Sequence, residues 1–476
     1  MIDTYATARA MLADLAAKKI SARELLAAHL ARNEAIAKTV NAVIATDIAP
    51  AQKDAAAIDE ARAKGEAQGV LAGLPMTIKD GFDVQNMPAV SGNPAFADRA
   101  KDCADAALVA AARKAGAVIW GKTNVPFMLA DLQSYNVVHG TTNNPYDVTK
   151  VPGGSSGGAA AALATGVTPL EIGSDIGGSL RHPANFCGIV SLKTTWGALD
   201  GHGHVPPVPG QYAPVDLGVY GPMARTVGDL KLLWSILHAS PEQTRRDVKG
   251  ARIAVWNEEK SWPLAREVRA ATERAAQAFA DAGAAVEFAK PDIDGAELMD
   301  AYAAILTPIV ALDFPEDMIA AFTAMRDADR ALMASGRPEA GVAAFRYRAS
   351  APFREIAAAQ IVRERLKEKL AEFFTRYDIV VMPIDMVPPF PHTQEGSFSD
   401  RVVTVDNEIK PYSDLLDWVA PASALHVPAL AVQAGRTPDG LPVGVQLVGP
   451  WHGEDRLFDF AFALEERLGG FVPPPL

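Results

Sequence analysis

Apolar positions repeat at helical spacing in some stretches of the chain and run together in others. Residues 1 to about 70 read as helical. Ser21-Ala-Arg-Glu24 has the spacing of a capping box, and Leu25, Leu26 and Leu30 then fall on one face. Leu74-Pro-Met-Thr-Ile-Lys79 has the apolar and β-branched character of a buried strand. A helix is predicted from Asp105 to Ala115 and a strand over Ala117-Val-Ile-Trp120. Strand and helix signals keep alternating through Ser191, which predicts a layered α/β architecture. From about Ala296 to Tyr377 the pattern turns mostly helical, with Met299, Met318, Met325 and Met333 among aromatics and alanines. Ordinary helix packing accounts for such methionines, and a cap over an apolar substrate channel is the functional alternative. Strand signals return at Asp378 to Met382, Pro428 to Val432 and Leu441 to Val448. With no internal repeat or long linker, one domain over 1–476 is expected. It would comprise a helical N-terminal part (1–70), a central core (71–200) and a helical insertion or cap (296–377).

Composition narrows the function. The 476 residues are 49% hydrophobic and 21% charged, ordinary for a globular protein that buries a core without staples. Lys+Arg 45 against Asp+Glu 57 leaves −12, which argues against a protein that grips phosphate backbones. Two cysteines far apart in sequence, Cys103 and Cys187, exclude a disulfide framework and a cysteine zinc site. Asp3, Asp14, Lys18 and Lys19 interrupt the first twenty residues, so neither a signal nor a transit peptide fits. No run of about 18 apolar residues occurs, so no membrane span is expected, and the chain reads as soluble and cytoplasmic.

The chemistry concentrates in Val151-Pro-Gly-Gly-Ser-Ser-Gly-Gly158 and Gly173-Ser-Asp-Ile-Gly-Gly-Ser179, two glycine-rich turns around the small-residue stretch Ala159 to Thr165. Glycines let the backbone approach a ligand closely and aim successive N–H groups into one space, where they hold a phosphate or an oxyanion. Neither turn carries the Lys-Ser/Thr pair of a Walker A loop, and no G-x-G-x-x-G opens a helix. A flexible Gly/Ser linker is the bland alternative, but linkers do not sit inside tight strand–helix alternation. Acyl transfer then has several forms. Gly153-Gly-Ser155-Ser-Gly157 formally matches a G-x-S-x-G elbow, a Ser-His-Asp triad would draw on His182, His392 or His426, and an S-x-x-K pattern is absent. His202-Gly-His204 lacks a third ligand at recognisable spacing and reads as a loop.

The chain resembles the amidase signature family, serine hydrolases with a Ser–cisSer–Lys triad. The resemblance rests on Gly73-Leu-Pro-Met-Thr-Ile-Lys-Asp80, Gly121-Lys-Thr-Asn124, Pro152-Gly-Gly-Ser-Ser-Gly-Gly158 and Gly173-Ser-Asp-Ile-Gly-Gly-Ser-Leu-Arg181. It continues weakly through Gly221-Pro-Met-Ala-Arg-Thr-Val227 and Gly440-Leu-Pro-Val-Gly-Val445. It implies an α/β amidase signature fold, a large mixed sheet flanked by helices and carrying helical insertions. It also implies Ser179 as nucleophile, Ser155 (after a cis peptide) as proton relay and Lys79 as base. The backbone N–H groups of Ile176, Gly177, Gly178 and Ser179 would form the oxyanion hole, with Ser156 and Asp175 in support. No metal or organic cofactor is required.

Physical chemistry agrees with this assignment. A serine hydroxyl needs a base, and lysine serves only when neutral, a state that burial favours. Lys79 ends an apolar strand, and strand alternation turns Asp80 to the opposite face. A lone strand-end lysine would otherwise read as snorkelling, and Lys122 is assigned to structure. The family cleaves amides, anilides, fatty amides, carbamates and short peptide-like amides, and one branch releases ammonia from glutamine for tRNA-dependent transamidation. Composition favours a small, fairly apolar amide-type substrate; neither nucleic acid nor membrane is expected as a partner, and a homodimer is the candidate assembly. His182, Phe186, the loop Gly201 to Tyr212 and Pro388-Pro-Phe-Pro-His392 are candidates for an entrance. Where many relatives carry an acid after Lys-Thr-Asn-Val-Pro, this chain has Phe127. The alternatives are a glutamine-hydrolysing subunit of a tRNA amidotransferase, which needs partner chains, and a non-catalytic binding protein on the same fold.

Overall fold

A computed structural model describes residues 2–99, 103–210, 214–334 and 340–476. The N-terminal part folds as helices Ala8–Ala16, Ala22–Val40 and Ile48–Ala63. The capping box at Ser21 forms as its spacing predicts: Glu24 N–H donates to Ser21 Oγ, and Ser21 N–H donates back to Glu24. Between the second and third helices lies a strand that helical periodicity conceals, β1 (Val43–Thr46). It pairs antiparallel with β3 (Val118–Thr123), which pairs parallel with β2 (Pro75–Lys79), giving the order β1-β3-β2. Every residue of β2 and β3 is buried, the condition under which a strand shows a continuous apolar run instead of alternation. A short hairpin, β4 (Tyr135–Asn136) and β5 (Gly140–Thr141), follows.

The large sheet is built from β6 (Leu170–Asp175), β7 (Val190–Lys193), β8 (Val219–Ala224), β9 (Arg252–Val255), β10 (Ala285–Phe288) and β11 (Ile379–Pro383). After a separate hairpin, β12 (Val402–Val405) and β13 (Glu408–Pro411), it is completed by β14 (Ala429–Arg436) and β15 (Pro442–Val448). The order is β10-β9-β11-β15-β14-β7-β8-β6. β9 pairs parallel with both β10 and β11 and the other ladders are antiparallel, so the sheet is mixed, as expected. Helix Gly157–Ala164 is buried along its whole length. Its small residues are a steric requirement: a Cβ on Gly158 would lie 2.3 Å from Asn124 N.

The helical region folds as Gly295–Val310, Glu316–Met333, Ala340–Ala349 and Phe353–Phe373. Met299 is partly buried against the core, whereas Met318 and Met325 are exposed. Among the described residues no helix is long and apolar enough to cross a membrane.

Candidate active site

Lys79 is the last residue of β2 and is fully buried. Its Nζ lies 2.8 Å from Ser155 Oγ, 2.9 Å from Ser174 Oγ and 3.2 Å from Ser174 O. Burial pushes its amine down to about 7, against the upward pull of the Asp175 and Glu171 carboxylates. Glu171 is itself pushed up to about 8 by burial, although Thr77 Oγ1 donates to it at 2.6 Å. Lys79 is therefore poised between charge states near neutrality, as a general base requires.

Two turns bring the serines to this amine. Ser155 follows a cis peptide bond from Gly154 and precedes helix Gly157–Ala164. Ser179 sits between the end of β6 and helix Arg181–Phe186. Ser156 N–H donates to Ser179 O at 3.2 Å and tacks the turns together. Asp175 organises the second turn by accepting from Gly178 N–H (2.8 Å), Leu180 N–H (3.1 Å) and Arg181 Nε and Nη2 (3.1 and 3.0 Å). Burial alone would raise this carboxyl, but the Arg181 guanidinium holds it well below the usual carboxylate range. Arg181, quoted from sequence only as part of a motif, is fully buried and also donates to Val419 O, Gln446 Oε1 and Ser423 Oγ.

The four amides expected at the oxyanion hole differ in what they meet. Gly178 N–H points to Asp175 and is not free for a substrate oxygen. The amides of Ile176, Gly177 and Ser179 have no acceptor among the described residues. Gly178 has φ +92°, and a Cβ there would lie 2.1 Å from His182 Nε2, so only glycine fits. His182, an entrance candidate, lies behind this turn instead: Nε2 is 3.0 Å from Gly177 O and Nδ1 is 2.5 Å from Asp385 Oδ1. Phe186 is likewise buried, edge-on to Phe390.

Ser155 and Ser179 open onto a cavity of about 770 Å³, counting its mouth. Carbon dominates its walls: Met128, Leu129, Ile176, Pro206, Val219 and Ile309 are typical. Among the described residues no Lys or Arg lines it, and neither His182, Phe186 nor the Pro388–His392 stretch does. Of the loop expected at an entrance, His204, Pro206 and Pro207 do line it, while residues 211 and 212 lie outside the described residues. Sequence reasoning gave Ser174 no role and placed His204 only in an entrance loop. His204 Nε2 lies 3.0 Å from Ser174 Oγ, and the signal was the His202-Gly-His204 pair read as a plain loop. It also missed Met128 to Ala130, which follow the exposed Phe127.

A buried amine, hydroxyls beside it and unspent amides facing an apolar cavity are the parts of an acyl-transfer site. The sequence profile described as Amidase matches residues 24–458. The chain belongs to the amidase signature family. It is an amidohydrolase acting on carbon–nitrogen bonds. The amidase is 33% identical over 514 aligned positions to a subunit of the glutamyl-tRNA(Gln) amidotransferase of Acidothermus cellulolyticus, with 98% of this chain and 97% of that one covered. Among solved structures, one described as an amidase superposes with a TM-score of 0.79 at 26% identity, covering 98% of this chain and all of that one. A bacterial aryl acylamidase superposes with a TM-score of 0.80 over 97% of this chain and 96% of its own; at 24% identity the likeness is one of fold.

Proposed function

We propose that this amidase cleaves the C–N bond of a small, fairly apolar amide, of amide, anilide or carbamate type, through an acyl-enzyme on Ser179. The observation that carries the reading is the buried contact between Lys79 Nζ and Ser155 Oγ, beside a largely carbon-walled cavity that Ser179 also lines. Ser179 Oγ attacks the carbonyl carbon and gives its proton to Ser155, whose own proton passes to Lys79. The carbonyl oxygen becomes an oxyanion held by the amides of Ile176, Gly177 and Ser179, while Gly178 and Asp175 keep the turn in shape. The proton on Lys79 returns through Ser155 to the departing nitrogen, without which an amine is a poor leaving group. Water then releases the acid by the same relay. Ile309, Val310, Leu312 and Asp313 line the cavity, and on this reading helix Gly295–Val310 and the turn after it cap the site. A panel of simple amides, anilides and carbamates, run beside Ser179→Ala, tests the reading. Turnover of apolar members by the parent protein alone is expected. Equal turnover by the variant would remove Ser179 from the reaction.

A second reading, glutamine hydrolysis for tRNA-dependent transamidation, is favoured by the full-length likeness to a glutamyl-tRNA(Gln) amidotransferase component. Glutamine carries an α-carboxylate that seeks a cation, and the described cavity wall offers none. Ammonia release from glutamine that appears only with partner chains would establish this second reading.

A further inference from the structure

A neutral lysine amine carries two N–H bonds and one lone pair, yet Lys79 Nζ has three polar neighbours. Which neighbour meets the lone pair decides whether the amine can act as a base. Ser174 O is a carbonyl and can only accept, so it takes one N–H. Ser155 and Ser174 each offer a hydroxyl that can either donate or accept.

His204 removes this ambiguity. Its Nδ1 lies 2.9 Å from Pro206 O, an acceptor, so the ring proton sits on Nδ1 and Nε2 presents a lone pair. Nε2 is 3.0 Å from Ser174 Oγ and accepts the Ser174 hydroxyl proton. Ser174 Oγ can then only accept from Lys79, and it takes the second N–H. The lone pair is left facing Ser155. The ring is kept neutral for this task, because burial and the charge of Lys79 push His204 down to about 3. Packing fixes the ring as well: it meets Phe82 edge-on at 4.8 Å and lies 5.0 Å from Tyr220.

We propose that His204 is a positioning residue that acts through Ser174 to aim the lone pair of Lys79 at Ser155. This deepens the reading of Lys79 as base and rests on it. Without the imidazole acceptor, the Ser174 hydroxyl is free to turn and donate into the lone pair, in competition with Ser155.

The test is the second-order rate at which a small fluorophosphonate labels Ser179, measured for the parent, His204→Phe, Ser174→Ala and the double variant. His204→Phe keeps an aromatic ring and should slow labelling about tenfold or more, a part of the roughly 10²–10⁴-fold that a general base contributes. Ser174→Ala removes the competing hydroxyl and should cost less. The diagnostic result is rescue: in the double variant labelling returns to the Ser174→Ala rate. A loss from His204→Phe that is equally large in both backgrounds, or no loss at all, overturns the proposal. His204→Gln, whose amide oxygen can still accept, covers the case of a misfolded phenylalanine variant. It should label faster than His204→Leu, and equal rates contradict the proposal. Failure of the underlying reading is separable, since the parent protein would then show no Lys79-dependent label on Ser179.

Discussion

Lys122 Nζ lies 2.7 Å from Asp80 Oδ1, and both side chains are buried. Lys122 also donates to Phe82 O at 2.7 Å, while Asp80 accepts from Ser91 N–H at 2.9 Å. Two buried lysines thus stand on adjacent strands with opposite surroundings. Lys122 has a carboxylate in direct contact and Lys79 has only hydroxyls and a carbonyl. Lys122→Met should therefore act on stability, lowering it by about 3–5 kcal/mol because Asp80 is left buried and unpaired. Denaturant unfolding measures this. Folded Lys122→Met protein should still label at Ser179, and loss of labelling in fully folded protein would make Lys122 part of the chemistry.

The pH profile follows from the other lysine. Only neutral Lys79 accepts a proton, and burial brings its amine to about 7. Activity should therefore climb as pH rises from about 6 to about 8 and then level, until another group titrates. An initial-rate profile on any cleaved amide checks this. A rate that falls over that interval would require the ammonium to be the active form.

Ser155→Ala and Lys79→Ala should each lower kcat by about a thousandfold or more, because both remove the path for the nucleophile's proton. Their effects should not add, since they break one relay. Steady-state kinetics on the two single variants and the double variant measure the coupling. Additive losses would separate the residues.

Gly178→Ala places a methyl group where His182 Nε2 already lies and forces alanine into φ +92°. The turn must move, and the amides on either side of it move too. A loss of about a hundredfold in kcat, the cost of a displaced oxyanion donor, is expected together with a lower thermal unfolding midpoint, since the buried turn is overpacked. Unchanged kcat would show that this turn does not hold the oxyanion.

Much of this arrangement is legible in one dimension because the motifs are local. Pro75 to Lys79, Gly153 to Gly158 and Gly173 to Ser179 are short runs whose strand and turn chemistry can be read directly, and strand alternation turns Asp80 away from Lys79. The rest depends on pairing between distant segments. Ser174 and His204 are 30 residues apart, and His182 and Asp385 are 203 apart. Only folding reveals that one histidine faces the base while the other clamps the glycine turn from behind. β1 escaped because four residues between two helices carry too little periodicity. The bond from Gly178 N–H to Asp175, three residues earlier, is local, yet the sequence alone does not show where that amide points.

The central claim, that Lys79 activates Ser179, is tested most directly by peptide mapping after exposure to a small fluorophosphonate. A single adduct on Ser179, lost in Lys79→Ala, is the result this account predicts. An adduct on Ser155 or Ser156, or one on Ser179 that forms at the parent rate in Lys79→Ala, would contradict it.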